Sequence, residues 1–191
     1  MDLVVRRLSG YAPQETSYDV ALVDATNSKN HRALLVAIIA ATLAADQITK
    51  YIARAVLHYP HTYLGGLLTL ILTQNAGAFL SLGETLPAGV RTLIFSLVVA
   101  VGLGVALWAL LKGKMQHAGE EAALALVVGG GAGNLVDRLL FHGRVTDFLY
   151  MSAGPLHTGV FNVADMAITL AVVWLLLSSF SHREKVPRSG G

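Results

Sequence analysis

Apolar residues gather into four long runs separated by polar segments. The first covers residues 33–45, and its helical pattern continues to about Leu57; the others are 92–111, the glycine-rich 122–136, and 161–180. A helix needs about 20 apolar residues to cross the hydrocarbon core of a bilayer. The pattern therefore predicts four transmembrane helices in one integral membrane domain.

The connection between the first two helices has a different pattern. Residues 67–73 read Leu-Leu-Thr-Leu-Ile-Leu-Thr and are bounded by Gly65-Gly66 and Asn75. This run is too short to span as a helix and is typical of a strand. A partner strand is expected at 78–82. The predicted fold is an all-α membrane protein with four transmembrane helices and a small extracytoplasmic β-sheet between helices 1 and 2.

Composition supports a membrane protein and excludes several functions. The 191 residues are 54% hydrophobic and 14% charged, whereas soluble domains carry about 25% charged residues. A formal net charge of +2 without a Lys/Arg run argues against nucleic-acid binding. The absence of cysteine excludes thiolate metal sites, disulfides and cysteine nucleophiles.

The flanks of the apolar region are expected to be tails. Residues 1–30 are predicted to be a cytoplasmic N-terminal tail, 31–181 the membrane-embedded domain, and 182–191 a cytoplasmic C-terminal tail. An alternative remains for the first run. Basic residues before it and Ala44-Ala45 after it also resemble a cleavable signal peptide. The mass of the mature N-terminus separates the two interpretations.

The placement of Lys and Arg predicts the orientation. Cytoplasmic segments are enriched in both residues. With the N-terminus inside, nine lie inside and five lie at the outer ends of the helices. The distribution favours cytoplasmic N- and C-termini.

Two carboxylates are the strongest candidates for chemistry. Asp165 lies five residues into the fourth apolar run, and an acid within a membrane segment indicates a functional site. Asp147 lies upstream in a predicted loop. Two neighbouring carboxylates suit aspartic-protease chemistry, because one tends to keep a proton while the other ionises. The alternatives are a solvated loop acid at Asp147 and a structural partner for Arg138 or Lys50 at Asp165. His157 is a further candidate base, although a lone interfacial histidine is more often structural.

Under alternating topology, further polar residues fall in the same outer leaflet. They are Asp46 and Lys50 on helix 1, Asn75 and Gly77 beyond the predicted strand, Asn134, Asp137 and Arg138 on helix 3, and Asn162, which is three positions before Asp165 and so is expected on the same face of helix 4. An interfacial ion pair, a hairpin turn and a helix-end polar network are the alternatives for the first three groups. The glycines before Asn134 lack the Lys-Ser/Thr of a phosphate loop, so they predict close helix packing.

The order of these motifs resembles a known family. Asp46-Gln47-x-x-Lys50, Asn75-x-Gly77, Gly133-Asn134-x-x-Asp137-Arg138, Val145-x-Asp147-Phe148 and Phe161-Asn162-x-Ala164-Asp165 occur in the order found in lipoprotein signal peptidase, or signal peptidase II. The resemblance covers about residues 33–181. Two departures affect the substrate groove: Ala78 is followed directly by Phe79, and Met166 stands where Ser or Thr is common.

The resemblance implies a bacterial inner-membrane aspartyl endopeptidase. It would remove the signal peptide from diacylglyceryl-modified prolipoproteins at the periplasmic face, with Asp147 and Asp165 as the catalytic dyad. Substrate contact or orientation is implied for three residues: Asn75, Arg138 and Asn162. A supporting role is implied for Asp46, Lys50, Asn134 and Asp137, and a substrate-binding or supporting role for Gly77. Expected partners are prolipoproteins, membrane lipid and globomycin-type inhibitors, with no cofactor, metal or nucleic acid, and a monomer suffices.

Two other functions fit a small polytopic chain. A proton-coupled carrier would place acids at the midplane and show inverted repeats, whereas these acids lie near one interface and no repeat is visible. A protease acting on ordinary transmembrane helices would not require a lipidated cysteine in its substrate.

Overall fold

The computed structural model describes residues 17–75, 87–113, 115 and 117–183. The chain divides into two compact units, Met1–Leu34 and Leu35–Gly191. The described part of the first unit is helical. The second unit contains the sheet, three further helices and all of the packing considered below.

Four long helices confirm the predicted transmembrane architecture. They are α1 (Ser17–Val56), α2 (Ala88–Leu111), α3 (Ala118–Leu140) and α4 (Val163–Arg183). Each contains a stretch long and apolar enough to cross a membrane. α1 begins at Ser17, so part of the predicted N-terminal tail is helical. Residues 17–30 contain neither proline nor glycine, the two residues that most oppose a helix.

The central helix of the second unit is α3. Half of the membrane-spanning stretch of α3 is buried, whereas only 6% of that of α2 is buried. Its glycines explain this position: a Cβ at Gly130 would lie 2.7 Å from the carbonyl oxygen of Ala164 in α4, and one at Gly131 would lie 2.5 Å from the side chain of Leu103 in α2. The glycine-rich run therefore permits close helix approach, as the sequence predicts.

A four-stranded antiparallel sheet accompanies the helices. Its strands are β1 (His61–Tyr63), β2 (Leu68–Asn75), β3 (Val145–Ala153) and β4 (Leu156–His157), in the order β1-β2-β3-β4. The predicted strand at 67–73 corresponds to β2, and the one expected at 78–82 lies outside the described residues. The first two strands lie between α1 and α2, and the other two come from the connection between α3 and α4.

The prediction of a loop around Asp147 is wrong, because this residue belongs to β3. Val145, Thr146, Phe148 and Tyr150 are β-branched or aromatic, which favours a strand. The strand forms by pairing with β2, a partner more than 70 positions away along the chain.

The register of β2 and β3 determines which way Asp147 faces. Thr73 pairs with Asp147 and Gln74 with Thr146, after a β-bulge between Leu70 and Thr73. Successive side chains of a strand point to opposite faces. Phe148 therefore packs in an apolar cluster with Ala53 of α1 and with Leu57, the residue that follows α1. Asp147 faces the other way, toward the start of α4.

Candidate active site

The start of α4 places Asp165 through reciprocal hydrogen bonds. The backbone N–H of Asp165 donates to Asn162 Oδ1 (2.9 Å), and the backbone N–H of Asn162 donates to Asp165 Oδ2 (3.1 Å). This is the arrangement of a capping box, with Asn162 as the cap and Asp165 at the third helical position. Asn162 thus precedes the helix, whereas the sequence analysis placed it on a helical face. The cap fixes both the helix start and the carboxylate.

Asp147 is held from two sides. Its side chain is 2% exposed. Asn162 Nδ2 donates to Asp147 Oδ1 (2.7 Å), and Asn75 Nδ2 donates to Asp147 Oδ2 (3.0 Å). Burial raises the pKa of the Asp147 carboxyl from 3.8 to about 6. Hydrogen bonds from Asn75 and Asn162 lower this pKa by smaller amounts, and the charge of Asp165 raises it.

Asn162 joins the two carboxyls. Its side-chain amide contacts Asp147 and its backbone N–H contacts Asp165. The two acids, which are separated by a strand, a hairpin and a helix start along the chain, therefore share one residue as a hydrogen-bond donor. A shared donor of this kind suits two carboxyl groups that act together.

Beneath the two acids lies a buried polar network between α1 and α3. Lys50 is fully buried, 2.8 Å from Asp46 Oδ2 and 3.5 Å from Asp137 Oδ2. It also donates to Asn134 Oδ1 (2.8 Å), and Asn134 Nδ2 donates to Asp165 Oδ1 (2.9 Å). The predicted i,i+4 pair of Asp46 and Lys50 is therefore connected to Asp165 through one amide. An isolated interfacial ion pair does not describe it.

Asp46 and Asp137 also organise backbone around the site. Asp46 Oδ1 accepts the N–H of Ala164 in α4 (3.0 Å), and Asp137 Oδ2 accepts the N–H of Thr146 in β3 (2.7 Å). The close approach of α1 depends on Gly133, because a Cβ there would collide with the Asp46 carboxylate. Each buried acid thus secures the backbone next to one of the two candidate catalytic residues.

Three residues from the sequence analysis have other outcomes. Arg138 is half-buried and donates to the carbonyl oxygen of Asn134 (3.2 Å), while its charge acts on both Asp147 and Asp165. Gly77 lies outside the described residues. His157, considered as an alternative base, is exposed and stacks on Tyr150, away from this cluster.

Three members of the network had no role in the sequence analysis: Gln47, Arg54 and Thr146. Gln47 donates to Gly133 O, Asp46 and Asp137. Arg54 Nη1 donates to Thr146 Oγ1 (2.9 Å) and lies 3.8 Å from Asp137 Oδ1. The i,i+4 spacing of Lys50 and Arg54 could have indicated Arg54, because such residues share a helix face. Nothing in the sequence distinguishes Thr146 from any other strand threonine.

An apolar cavity of about 340 Å³ opens beside Asp165. It is lined by Met151, Thr158, Phe161, Asp165, Met166, Thr169 and Leu170. Met166 and Leu170 are exposed on the outer face of α4. The cavity therefore joins a carboxylate to a helix face of the kind that contacts lipid.

Comparisons with known proteins agree with this architecture. Residues 38–181 match the family described as signal peptidase (SPase) II. A lipoprotein signal peptidase of Azoarcus sp. (strain BH72) is 38% identical over 157 residues, covering 79% of this chain and 85% of that protein. One from Hydrogenovibrio crunogenus is 37% identical, covering 71% and 78%.

A solved bacterial membrane enzyme has a similar fold. Its structure aligns with a TM-score of 0.70 at 21% sequence identity, covering 83% of this chain and 95% of that one.

Proposed function

The chain belongs to the signal peptidase II family and is a membrane protease that cleaves lipoprotein signal peptides, and we propose that it does so as an aspartyl endopeptidase with Asp147 and Asp165 as the dyad. The observation that carries this proposal is the double contact of Asn162, which donates to both carboxyls. The scissile bond is the one before the diacylglyceryl-modified cysteine of a prolipoprotein.

The charges around the dyad support a single shared proton. Among the described residues of the cluster, three cations face four acids. The cations are Lys50, Arg54 and Arg138, and the acids are Asp46, Asp137, Asp147 and Asp165. The cluster is electrically neutral when one carboxyl is protonated, and a net charge away from water is costly. Because its pKa is raised to about 6, Asp147 is the carboxyl that holds this proton below about pH 6.

Hydrolysis then follows from two pairs of proton transfers, one pair in each step. Asp165 accepts a proton from a water molecule as the water oxygen attacks the peptide carbonyl carbon, and Asp147 gives its proton to the carbonyl oxygen. The tetrahedral intermediate collapses when Asp165 protonates the leaving amine and the C–N bond breaks. A hydroxyl proton of the intermediate returns to Asp147. The dyad ends the cycle in its starting state.

The remaining polar residues fall into two roles. Asn75, Arg138 and Asn162 contact or orient the substrate, since each presents donors beside the carboxyls. Asp46, Lys50, Asn134 and Asp137 hold α1, α3, β3 and α4 in place. Gly77, outside the described residues, keeps the substrate-binding or supporting role that the resemblance implies. Globomycin-type inhibitors would occupy the same groove as the substrate. The enzyme acts as a monomer and needs neither a cofactor nor nucleic acid.

The substrate reaches the dyad from the lipid phase. The cavity beside Asp165 is apolar and continues onto the outer face of α4, so it suits an apolar peptide arriving laterally. The Lys/Arg distribution supports cytoplasmic N- and C-termini in the inner membrane, with the dyad facing the periplasm. Residues 31–181 form the peptidase domain between cytoplasmic tails at 1–30 and 182–191.

Dependence on the lipid separates this function from general intramembrane proteolysis. The purified protein in lipid vesicles should cleave a prolipoprotein carrying the diacylglyceryl group and leave the same precursor intact when that group is absent. Mass spectrometry of both products identifies the bond that is cut. Equal cleavage of the two precursors would contradict the proposed specificity, and no cleavage of either would contradict the function.

The proton on Asp147 predicts a pH dependence. Raising the pH through about 6 ionises this raised-pKa carboxyl and removes the proton donor, so kcat/KM should fall roughly tenfold per pH unit above about pH 6. Asn75→Ala removes a hydrogen bond that lowers the Asp147 pKa, so the falling limb should move to higher pH. Profiles of kcat/KM from about pH 4 to about pH 9 test this. A limb that moves to lower pH in Asn75→Ala would contradict the assignment.

A further inference from the structure

Thr146 forms hydrogen bonds with several elements of the site, and the roles described above do not account for them. It is fully buried. Its N–H donates to Asp137 Oδ2 in α3 (2.7 Å), and its carbonyl oxygen accepts from Asn162 Nδ2 before α4 (3.4 Å). Its hydroxyl oxygen accepts from Arg54 in α1 (2.9 Å) and from Gln74 in β2 (3.3 Å). Four separate segments therefore meet at the residue directly before Asp147.

Arg54 is itself held by three kinds of contact. Its side chain is one quarter exposed and lies 3.8 Å from Asp137 Oδ1. The guanidinium carbon is 4.7 Å from the centre of the Phe141 ring, a cation–π arrangement. These contacts restrict where the guanidinium can lie, so its hydrogen bond locates the Thr146 hydroxyl.

The hydroxyl is not needed for packing. Val145, the residue before Thr146, and Phe148, two residues after it, are apolar and buried. Valine has nearly the shape of threonine and would fill the same space, yet it could not accept the hydrogen bond from Arg54. The hydroxyl therefore has a directional role, which is to fix residue 146 relative to α1.

We propose that Arg54 and Thr146 form a positioning pair that holds Asp147 against Asn162. The inference rests on the proposed function of the dyad. A shift of Thr146 would move the adjacent Asp147 carboxyl, and misplacement of a catalytic group by about 1 Å lowers a rate by about 10²-fold. Because Thr146 is fully buried, the pair acts on the chemical step through the adjacent Asp147.

Four variants test the pair on a lipidated prolipoprotein. Thr146→Val should lower kcat by about tenfold to 10²-fold and leave KM within about twofold. Thr146→Ser keeps the hydroxyl and should retain nearly all of kcat. Arg54→Met should lower kcat at least as much as Thr146→Val, because it also removes an ion pair and a cation–π contact. The double variant should lose no more than Arg54→Met alone, because the hydrogen bond between the two residues is already absent.

The matched control is Thr69→Val. Thr69 lies in β2 and its hydroxyl pairs with that of Thr62 (3.2 Å) on the exposed side of the sheet. This variant also removes one threonine hydroxyl from the sheet, and it should keep kcat unchanged. Thermal midpoints of all variants show that each is folded at the assay temperature.

The outcomes distinguish a failure of the positioning pair from a failure of the proposed protease function. Wild-type kcat in Thr146→Val would overturn the positioning pair, as would a Thr146→Ser variant as slow as Thr146→Val. Losses that multiply in the double variant would also overturn it. Different results would contradict the proposed function itself. These are full cleavage by Asp165→Asn, or a wild-type protein that does not cleave the lipidated precursor.

Discussion

Replacing Asp165 with asparagine should reduce cleavage of a lipidated prolipoprotein by about 10³-fold or more, while leaving the protein folded. The amide cannot accept the proton of the attacking water, and proton transfer by a positioned side chain contributes about 10² to 10⁴-fold to such reactions. The fold should survive because asparagine keeps one oxygen for the N–H of Asn162, so the cap at the start of α4 persists. Cleavage is followed by mass spectrometry and folding by the thermal midpoint.

Glu120→Gln is the matched control for Asp165→Asn. Glu120 lies in the first turn of α3, where its carboxylate accepts from Ser178 in α4 (3.0 Å). The variant also converts an acid between α3 and α4 to its amide, but far along α3 from the dyad. It should cleave at the wild-type rate. Cleavage by Asp165→Asn at the rate of Glu120→Gln would exclude Asp165 as a catalytic residue.

Replacing Lys50 with methionine should destabilise the protein by about 3–5 kcal/mol, the range for breaking a buried pair by removing one partner. Lys50 is fully buried with Asp46 at 2.8 Å and Asp137 at 3.5 Å. Its removal leaves both acids without their closest cation and leaves Asn134 Oδ1 without its ammonium donor. Unfolding of the purified protein in detergent measures the loss, and the thermal midpoint should fall sharply.

Two comparisons isolate the cause of that loss. Lys112→Met removes an exposed lysine just beyond α2 and should leave the midpoint nearly unchanged. Lys50→Met combined with Asp46→Asn removes one stranded charge and should recover part of the stability. Equal midpoints for Lys50→Met and Lys112→Met would show that the buried network does not stabilise the fold.

Much of this architecture could be predicted from local sequence. Hydrophobic runs of spanning length identify helices because lipid requires every backbone group to bond within its own segment. The i,i+4 spacing of Asp46 and Lys50 predicts their contact, since both lie on one helix face. Alternation of four helices also predicts that the polar residues gather together, as the hydrogen-bond network shows.

Long-range pairing could not be predicted in the same way. β3 forms because β2 pairs with it, and strand formation depends on such neighbours more than on intrinsic preference. Asn162 was expected on a helix face because spacing of three suggests it, but its side chain caps the helix instead. The contacts of Thr146 depend on four segments meeting, which no local pattern indicates.

The most direct test of the account compares four proteins on one lipidated prolipoprotein: wild type, Asp147→Asn, Asp165→Asn and the double variant. If the two carboxyls act on one water as a unit, both single variants and the double variant should fall to the same residual rate, because removing either acid removes the whole function. Substantial cleavage by either single variant, or losses that multiply in the double variant, would contradict the dyad.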